Sequence, residues 1–156
     1  MLQINIPGFG ELTLNYALID YNGTLAVDGA LIEGIATQLN ALSEHLDVHI
    51  ITGDSFGTAR TELADIHCTL TILPAENQAI AKQKYLRQLN PNETVAIGNG
   101  RNDCYILKDS ALGIVVLGHE GAAIDSMISA NLIMPSIVQA LDILTHPSRL
   151  IATLRS

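Results

Sequence analysis

Apolar residues along this chain fall into short runs, and polar or glycine-containing clusters separate them. Leu2-Gln3-Ile4-Asn5-Ile6 alternates apolar with polar, Pro7-Gly8-Phe9-Gly10 interrupts, and apolar residues return from Glu11 to Ile19. That pattern predicts a β-hairpin feeding a buried strand that ends at Asp20. Asp28-Gly29 marks a turn, and Leu31, Ile35, Leu39 and Leu42 then recur at helical spacing, predicting a helix over 30–44. Val48 to Ile51 reads as a strand, Phe56 to Ile66 as a helix, and Cys68 to Leu73 as a strand stopped by Pro74. A helix over 76–89 follows, then the turn Asn90-Pro91-Asn92 and the strand Thr94 to Ile97. A helix around Tyr105–Lys108, a strand over 112–116, a short helix over 124–127 and a strand over 132–134 complete the alternation. Pro135 and Pro147 each stand where a helix can start, since the first turn does not use the donor that proline lacks.

Strands that alternate with helices predict the α/β class, with a mostly parallel sheet covered on both faces. No repeat, linker or low-complexity segment divides the 156 residues, so a single domain over 1–156 is expected. Trp is absent and apolar residues make up 48%, which leaves Leu, Ile, Val and Ala to build the core.

The charge narrows the partners. Sixteen acidic residues against eight Lys and Arg give a formal net charge of −8, which argues against a nucleic-acid backbone as ligand. No basic segment and apolar run of the signal-peptide kind follows Met1, and no apolar stretch is long enough to span a bilayer. A cytoplasmic protein without membrane partners is expected, with Cys68 and Cys104 as small core residues.

Polar residues cluster at the predicted strand ends. Asp20 and Asn22 follow the first buried strand, Thr52-Gly53 the second and Asn99, Asn102 and Asp103 a later one, while Lys82 sits in the helix after the third. Open α/β sheets bind ligands at that edge. Two carboxylates on one rim suit a hard dication held through oxygen, and Mg²⁺ is the usual choice. The Thr52 hydroxyl and Gly53 amide suit phosphate oxygens, and the Lys82 ammonium supplies compensating charge. Phosphoryl transfer asks mainly for such positioning and neutralisation.

The ordered set Asp20-Tyr21-Asn22-Gly23-Thr24-Leu25, Thr52-Gly53-Asp54, Lys82 and Gly98-Asn99-Gly100-Arg101-Asn102-Asp103 resembles the haloacid dehalogenase (HAD) superfamily. Within it the chain looks most like the phosphorylation domain of P-type ATPases and their small stand-alone soluble relatives. The likeness runs over nearly the whole chain, including Ala111 to Val116. It implies a Rossmann-like three-layer α/β/α fold, to which the residue pattern adds the N-terminal β-hairpin; Leu25 to Ile51 holds little beyond one helix and Ser55 to Ala81 one helix and one strand, so no cap domain is expected. It also implies that Asp20 is a nucleophile forming an aspartyl-phosphate, with catalytic parts for Asn22, Thr52 and Lys82. Phosphate would meet Thr52, Gly53 and Lys82. The metal ligands would be Asp20, the main-chain carbonyl of Asn22, Asn99 and Asp103, around Mg²⁺. Lys84 competes with Lys82 for the lysine role; the spacing to Leu86 and Leu89 favours Lys82.

Two positions depart from that family. Asn22 stands where most of its phosphatases carry the acid/base Asp, and an amide cannot move a proton. Asn99 stands where a metal-binding Asp is usual, so the site loses charge. A slow Mg²⁺-dependent phosphohydrolase is therefore expected, acting on a small phosphorylated substrate or a phosphoprotein. The alternative is a catalytically impaired phosphate- or metal-binding regulatory module. A homo-oligomer is a further expectation, since no cap is present to select a substrate. Asp28 and Asp54 read as turn and cap residues, and the five histidines lack metal-ligand spacing.

Overall fold

The computed structural model describes residues 1–54 and 56–156. Its centre is a six-stranded sheet in the order β10-β9-β8-β3-β6-β7, every neighbouring pair parallel. The strands are β3 (Tyr16–Asp20), β6 (Asp47–Thr52), β7 (Thr69–Ile72), β8 (Thr94–Gly98), β9 (Leu112–Val116) and β10 (Leu132–Met134). The inner strands β3, β6, β8 and β9 are buried almost throughout, as cover by two helical layers requires, while the edge strands β7 and β10 are partly exposed. Within β3, Ala17 and Ile19 point into one cluster and Leu18 into the other, the two-residue period of a strand.

Helices α1 (Ile35–Ser43), α6 (Ile137–Thr145) and α7 (Pro147–Leu154) cover the first face. Helices α3 (Gln78–Leu89), α4 (Cys104–Asp109) and α5 (Ile124–Ser129) cover the second through Leu86, Ile106, Leu107 and Met127. A short helix, α2 (Ala59–Glu62), lies between β6 and β7. The three-layer α/β/α arrangement matches the sequence expectation.

Four local expectations are corrected. The hairpin of β1 (Leu2–Ile6) and β2 (Gly10–Leu14) forms its own two-stranded sheet, and Asn15 separates it from β3. The Asn15 main chain and side chain both turn to Glu93, at 2.8 and 2.6 Å, which breaks the apolar run that reads as one strand. The helix expected over 30–44 begins only at Ile35. The preceding residues form the small antiparallel pair β4 (Ala26–Val27) and β5 (Ala30–Leu31) around Asp28-Gly29. The helix expected over 56–66 shrinks to α2, because Gly57 takes a positive φ and the Asp54 carboxylate caps the later start at the Ala59 amide. Finally, α6 starts after Ser136, whose hydroxyl accepts from the Gln139 amide, so Pro135 lies outside the helix.

The chain leaves β3 for β6 and β7 on one side, then returns to β8, β9 and β10 on the other. The order reverses between β3 and β8, and the crevice beyond their carboxyl ends is where ligands of such sheets bind. Among the described residues, no inserted domain covers that crevice, and no helix is long and apolar enough to cross a membrane.

Candidate active site

Asp20 ends the central strand β3 and lies at the floor of a cavity of about 230 Å³. Asp20, Asn22, Thr52, Gly53, Gln78, Asn99, Gly100, Asn102 and Glu120 line it. Lys82 and Asp103 do not; they lie behind Asp20. The Lys82 ammonium donates to Oδ1 of Asp20 and to Oδ1 of Asp103, both at 2.6 Å. Exposure of the three residues is 6% for Asp20, 1% for Lys82 and 0% for Asp103. Helix α3 carries Lys82 inward on the face that also buries Leu86. Lys84 lines a separate hollow beside α3, with Leu73, Ile80 and Tyr85. The structure therefore brings Lys82, not Lys84, to Asp20.

Asp103 accepts three hydrogen bonds. Its Oδ1 receives Lys82, and its Oδ2 accepts the main-chain amides of Asn99 at 3.1 Å and Gly100 at 2.9 Å. Asp103 meets Asp20 through Lys82 and lies outside the cavity lining. Its carboxylate folds the loop after β8 and anchors the lysine.

Burial raises the pKa of Asp20 to about 7, and the neighbouring Asp103 charge pushes the same way against the attraction of Lys82. The reason is a charge count. One ammonium shared by two buried carboxylates leaves a negative charge unbalanced, and desolvation makes that costly. Burial also acts to lower the Lys82 pKa, but the two carboxylates outweigh it and the net shift is upward. Lys82 is held charged.

Thr52 is directed by its acceptors. Its hydroxyl oxygen accepts the Asn22 side-chain amide at 3.3 Å and the Asp54 main-chain amide at 2.9 Å. With both lone pairs used, the hydroxyl proton remains for a ligand. Residues that the motifs did not single out complete the site. Thr24, quoted in the first motif without a role, places its hydroxyl 3.3 Å from Asp20 Oδ2 and 3.2 Å from Asn99 Oδ1. Gln78 accepts from Asn102 at 2.8 Å, and its Nε2 lies against Gly53, where a Cβ would come within 2.1 Å of it. Glu120 enters from the loop after β9. A place four residues before a helix lysine, or in a loop after a strand, carries no sequence signature for these two.

A hard dication fits the donor set. The Asp20 carboxylate and Asn99 Oδ1 share Thr24, and all available ligands near them are oxygen. The buried Asn22 Oδ1 has no hydrogen-bond partner among the described residues. Also among the described residues, no three His, Cys, Asp or Glu side chains gather into a metal cage. Mg²⁺ does not need one, since it keeps several waters and takes one or two carboxylates.

No protein-family model matches the chain. It is 45% identical over 83 residues to the uncharacterised protein MJ0073 of Methanocaldococcus jannaschii, an alignment over 51% of this chain and 89% of that protein. A second uncharacterised protein of that organism, MJ0072, is 40% identical over 38 residues, covering 24% of this chain and 86% of its own length. Among solved structures, the chain is similar to the 3-deoxy-D-manno-octulosonate 8-phosphate phosphatase of Moraxella catarrhalis, determined with magnesium, phosphate and KDO. The TM-score is 0.72 at 16% identity, over 91% of this chain and 94% of that one. The cobalt-bound deoxy-D-mannose-octulosonate 8-phosphate phosphatase of Haemophilus influenzae gives 0.72 at 13% identity, over 92% and 94%. BT1666 of Bacteroides thetaiotaomicron, a HAD-superfamily phosphatase, gives 0.65 at 10% identity, over 87% and 96%. At these identities the likeness establishes the fold. The chain belongs to one protein family with MJ0073 and MJ0072 of Methanocaldococcus jannaschii, and its fold is that of the HAD phosphatases.

Proposed function

We propose that this chain, residues 1–156 acting as one catalytic core, is an Mg²⁺-dependent phosphohydrolase that works through Asp20. The observation that carries the reading is the carboxylate at the end of the central strand, fixed from behind by a buried ammonium and facing an open polar cavity. A phosphate monoester enters with its oxygens toward the Thr52 hydroxyl and the Gly53 amide. An Asp20 carboxylate oxygen attacks phosphorus, the bond from phosphorus to the leaving oxygen breaks, and that oxygen takes a proton from solvent. Water then attacks the aspartyl-phosphate, releasing inorganic phosphate and restoring Asp20. Lys82 holds Asp20 in line and offsets its charge, and Asp103 positions Lys82. Asp20, the Asn22 main-chain carbonyl and Asn99 Oδ1, with Asp103 behind them, would hold Mg²⁺, which would supply charge neutralisation between the carboxylate and the incoming phosphate. The motif order supports a place beside the soluble relatives of P-type ATPase phosphorylation domains. The uncapped cavity suits a small phosphorylated substrate or a phosphorylated side chain on a protein.

A second reading is a phosphate-binding or switch module with little turnover. Asn22 favours it: general acid–base help is typically worth about 10²–10⁴-fold in rate, and an amide at this position cannot supply it. One experiment separates the two. A panel of phosphate esters is assayed with Mg²⁺ for the native chain, Asp20→Asn and Asn22→Asp. Slow native turnover, none in Asp20→Asn, and a gain of about 10²–10⁴-fold in Asn22→Asp is expected. Turnover in Asn22→Asp alone establishes the module reading. No turnover in native or Asn22→Asp protein contradicts the phosphohydrolase.

A further inference from the structure

The family resemblance leaves this site one carboxylate short, because Asn99 stands where an aspartate is usual. Another carboxylate reaches the same wall. Glu120 lies in the loop between β9 and α5 and lines the cavity with Asp20, Asn22 and Asn99. Its position is defined by Gly23. A Cβ built there would meet Glu120 Oε2 at 2.6 Å, Asn99 Nδ2 at 2.8 Å and Asn99 Oδ1 at 2.9 Å. Glu120 and the Asn99 amide thus converge on one small volume, which stays open because residue 23 has no side chain. Glu120 makes no ion pair among the described residues.

The loop that carries Glu120 is built onto Asn99. The Asn99 side-chain Nδ2 donates to the Gly121 carbonyl at 3.0 Å, and the Ala123 amide donates to the Asn99 carbonyl at 2.9 Å. At the other end the Leu117 and Gly118 amides donate to Met134 and Pro135. An aspartate at position 99 has no side-chain donor for Gly121. The residue that removes a charge from the wall is therefore the residue that holds the Glu120 loop in place. The charge count agrees. Asp20, Asp103 and Lys82 sum to −1, and Glu120 brings the site to −2, equal and opposite to a divalent cation.

We propose that Glu120 is the second carboxylate of the divalent-cation site, replacing the charge that Asn99 lacks. The inference rests on the phosphohydrolase reading above. Asp20 and Glu120 supply the two carboxylates, and the Asn99 and Asn22 oxygens supply neutral ligands. Glu120 is exposed, so its replacement leaves the core untouched.

The test is Mg²⁺ binding without substrate, by titration calorimetry, on the native chain, Glu120→Gln, Glu120→Lys and Asp20→Asn. Glu120→Gln is expected to weaken Mg²⁺ at least about tenfold, the lower end of what losing a supporting partner costs a metal site. Glu120→Lys is expected to weaken it further. The melting temperature of both variants without metal is expected to equal that of the native chain, which excludes unfolding as the cause. Native-like affinity in Glu120→Gln and Glu120→Lys, with binding lost in Asp20→Asn, overturns the Glu120 assignment and leaves the phosphohydrolase reading intact. Absence of Mg²⁺ binding by the native chain overturns both.

Discussion

Asp20, Lys82 and Asp103 form a buried three-membered charge cluster, and its energetics decide how the site behaves. An ammonium bonded to two carboxylates is stable only as a set, since removing one partner of a buried ion pair typically costs about 3–5 kcal/mol. The cluster also explains why Asp20 titrates near 7 rather than at its ordinary 3.8. Folding favours the neutral form of Asp20. The stability this contributes is fully present below 3.8 and is lost as pH rises through about 7. Mg²⁺ held at Asp20, as proposed, would favour the ionised form and offset that loss. Thermal melts from about pH 5 to about pH 8 should show a stability decline in metal-free native protein that flattens with saturating Mg²⁺ and is absent from Asp20→Asn. Identical slopes in all three samples contradict this account of the site. At this scale the sequence points to Asp20, Asn22, Thr52, Gly53, Lys82 and Asn99 through their places at predicted strand ends and in the helix after the third strand. It does not show that both Asp103 oxygens accept hydrogen bonds, because that depends on where the Asn99 and Gly100 amides and Lys82 point. Gln78 and Glu120 were equally hidden, being brought to the cavity by a helix start and a loop path.

Elements differ in how openly they announce themselves. The strands β8 and β9 are short apolar runs legible in the sequence within a residue or so, and β3 ends at Asp20 as expected although its start at Tyr16 was hidden. The β4–β5 pair and the shortened α1 and α2 were not legible. Apolar residues at helical spacing over 31–42 continue past the true start at Ile35, and Gly34 with φ 83 is what prevents the helix from extending backward. The packing of α4 on β9 has its own sequence mark in Gly113. A Cβ there would come within 2.0 Å of the Leu107 carbonyl oxygen, a backbone atom that cannot swing away. Since α4 directly follows Asp103, the contact also bears on the site. Gly113→Ala should destabilise the fold by about 1–3 kcal/mol, the usual range for overpacking a core. Denaturant unfolding reads it directly, and native-like stability in Gly113→Ala would remove the close packing from the account.

Over the whole molecule, one topological fact organises the rest. The parallel sheet reverses its order between β3 and β8, so Asp20 and the Asn99–Asp103 loop meet at one edge although they lie far apart in the chain. Alternation of strands and helices made the sheet class legible, and the order of polar strand ends made its ligand-facing edge legible. The hairpin at the start was legible as a hairpin, but its detachment from the sheet came from Asn15 turning to Glu93. The cavity walls carry no Lys or Arg, so under the proposed function a bound cation would be what draws the phosphate to this acidic chain. The central claim is that Asp20 takes up a phosphoryl group, and intact-mass spectrometry tests it most directly. Native protein incubated with Mg²⁺ and a reactive phosphate donor such as acetyl phosphate, then quenched in acid, should gain the mass of one phosphoryl group that hydroxylamine removes. Asp20→Asn should gain none. An unmodified native mass, or equal labelling of Asp20→Asn, would contradict the claim.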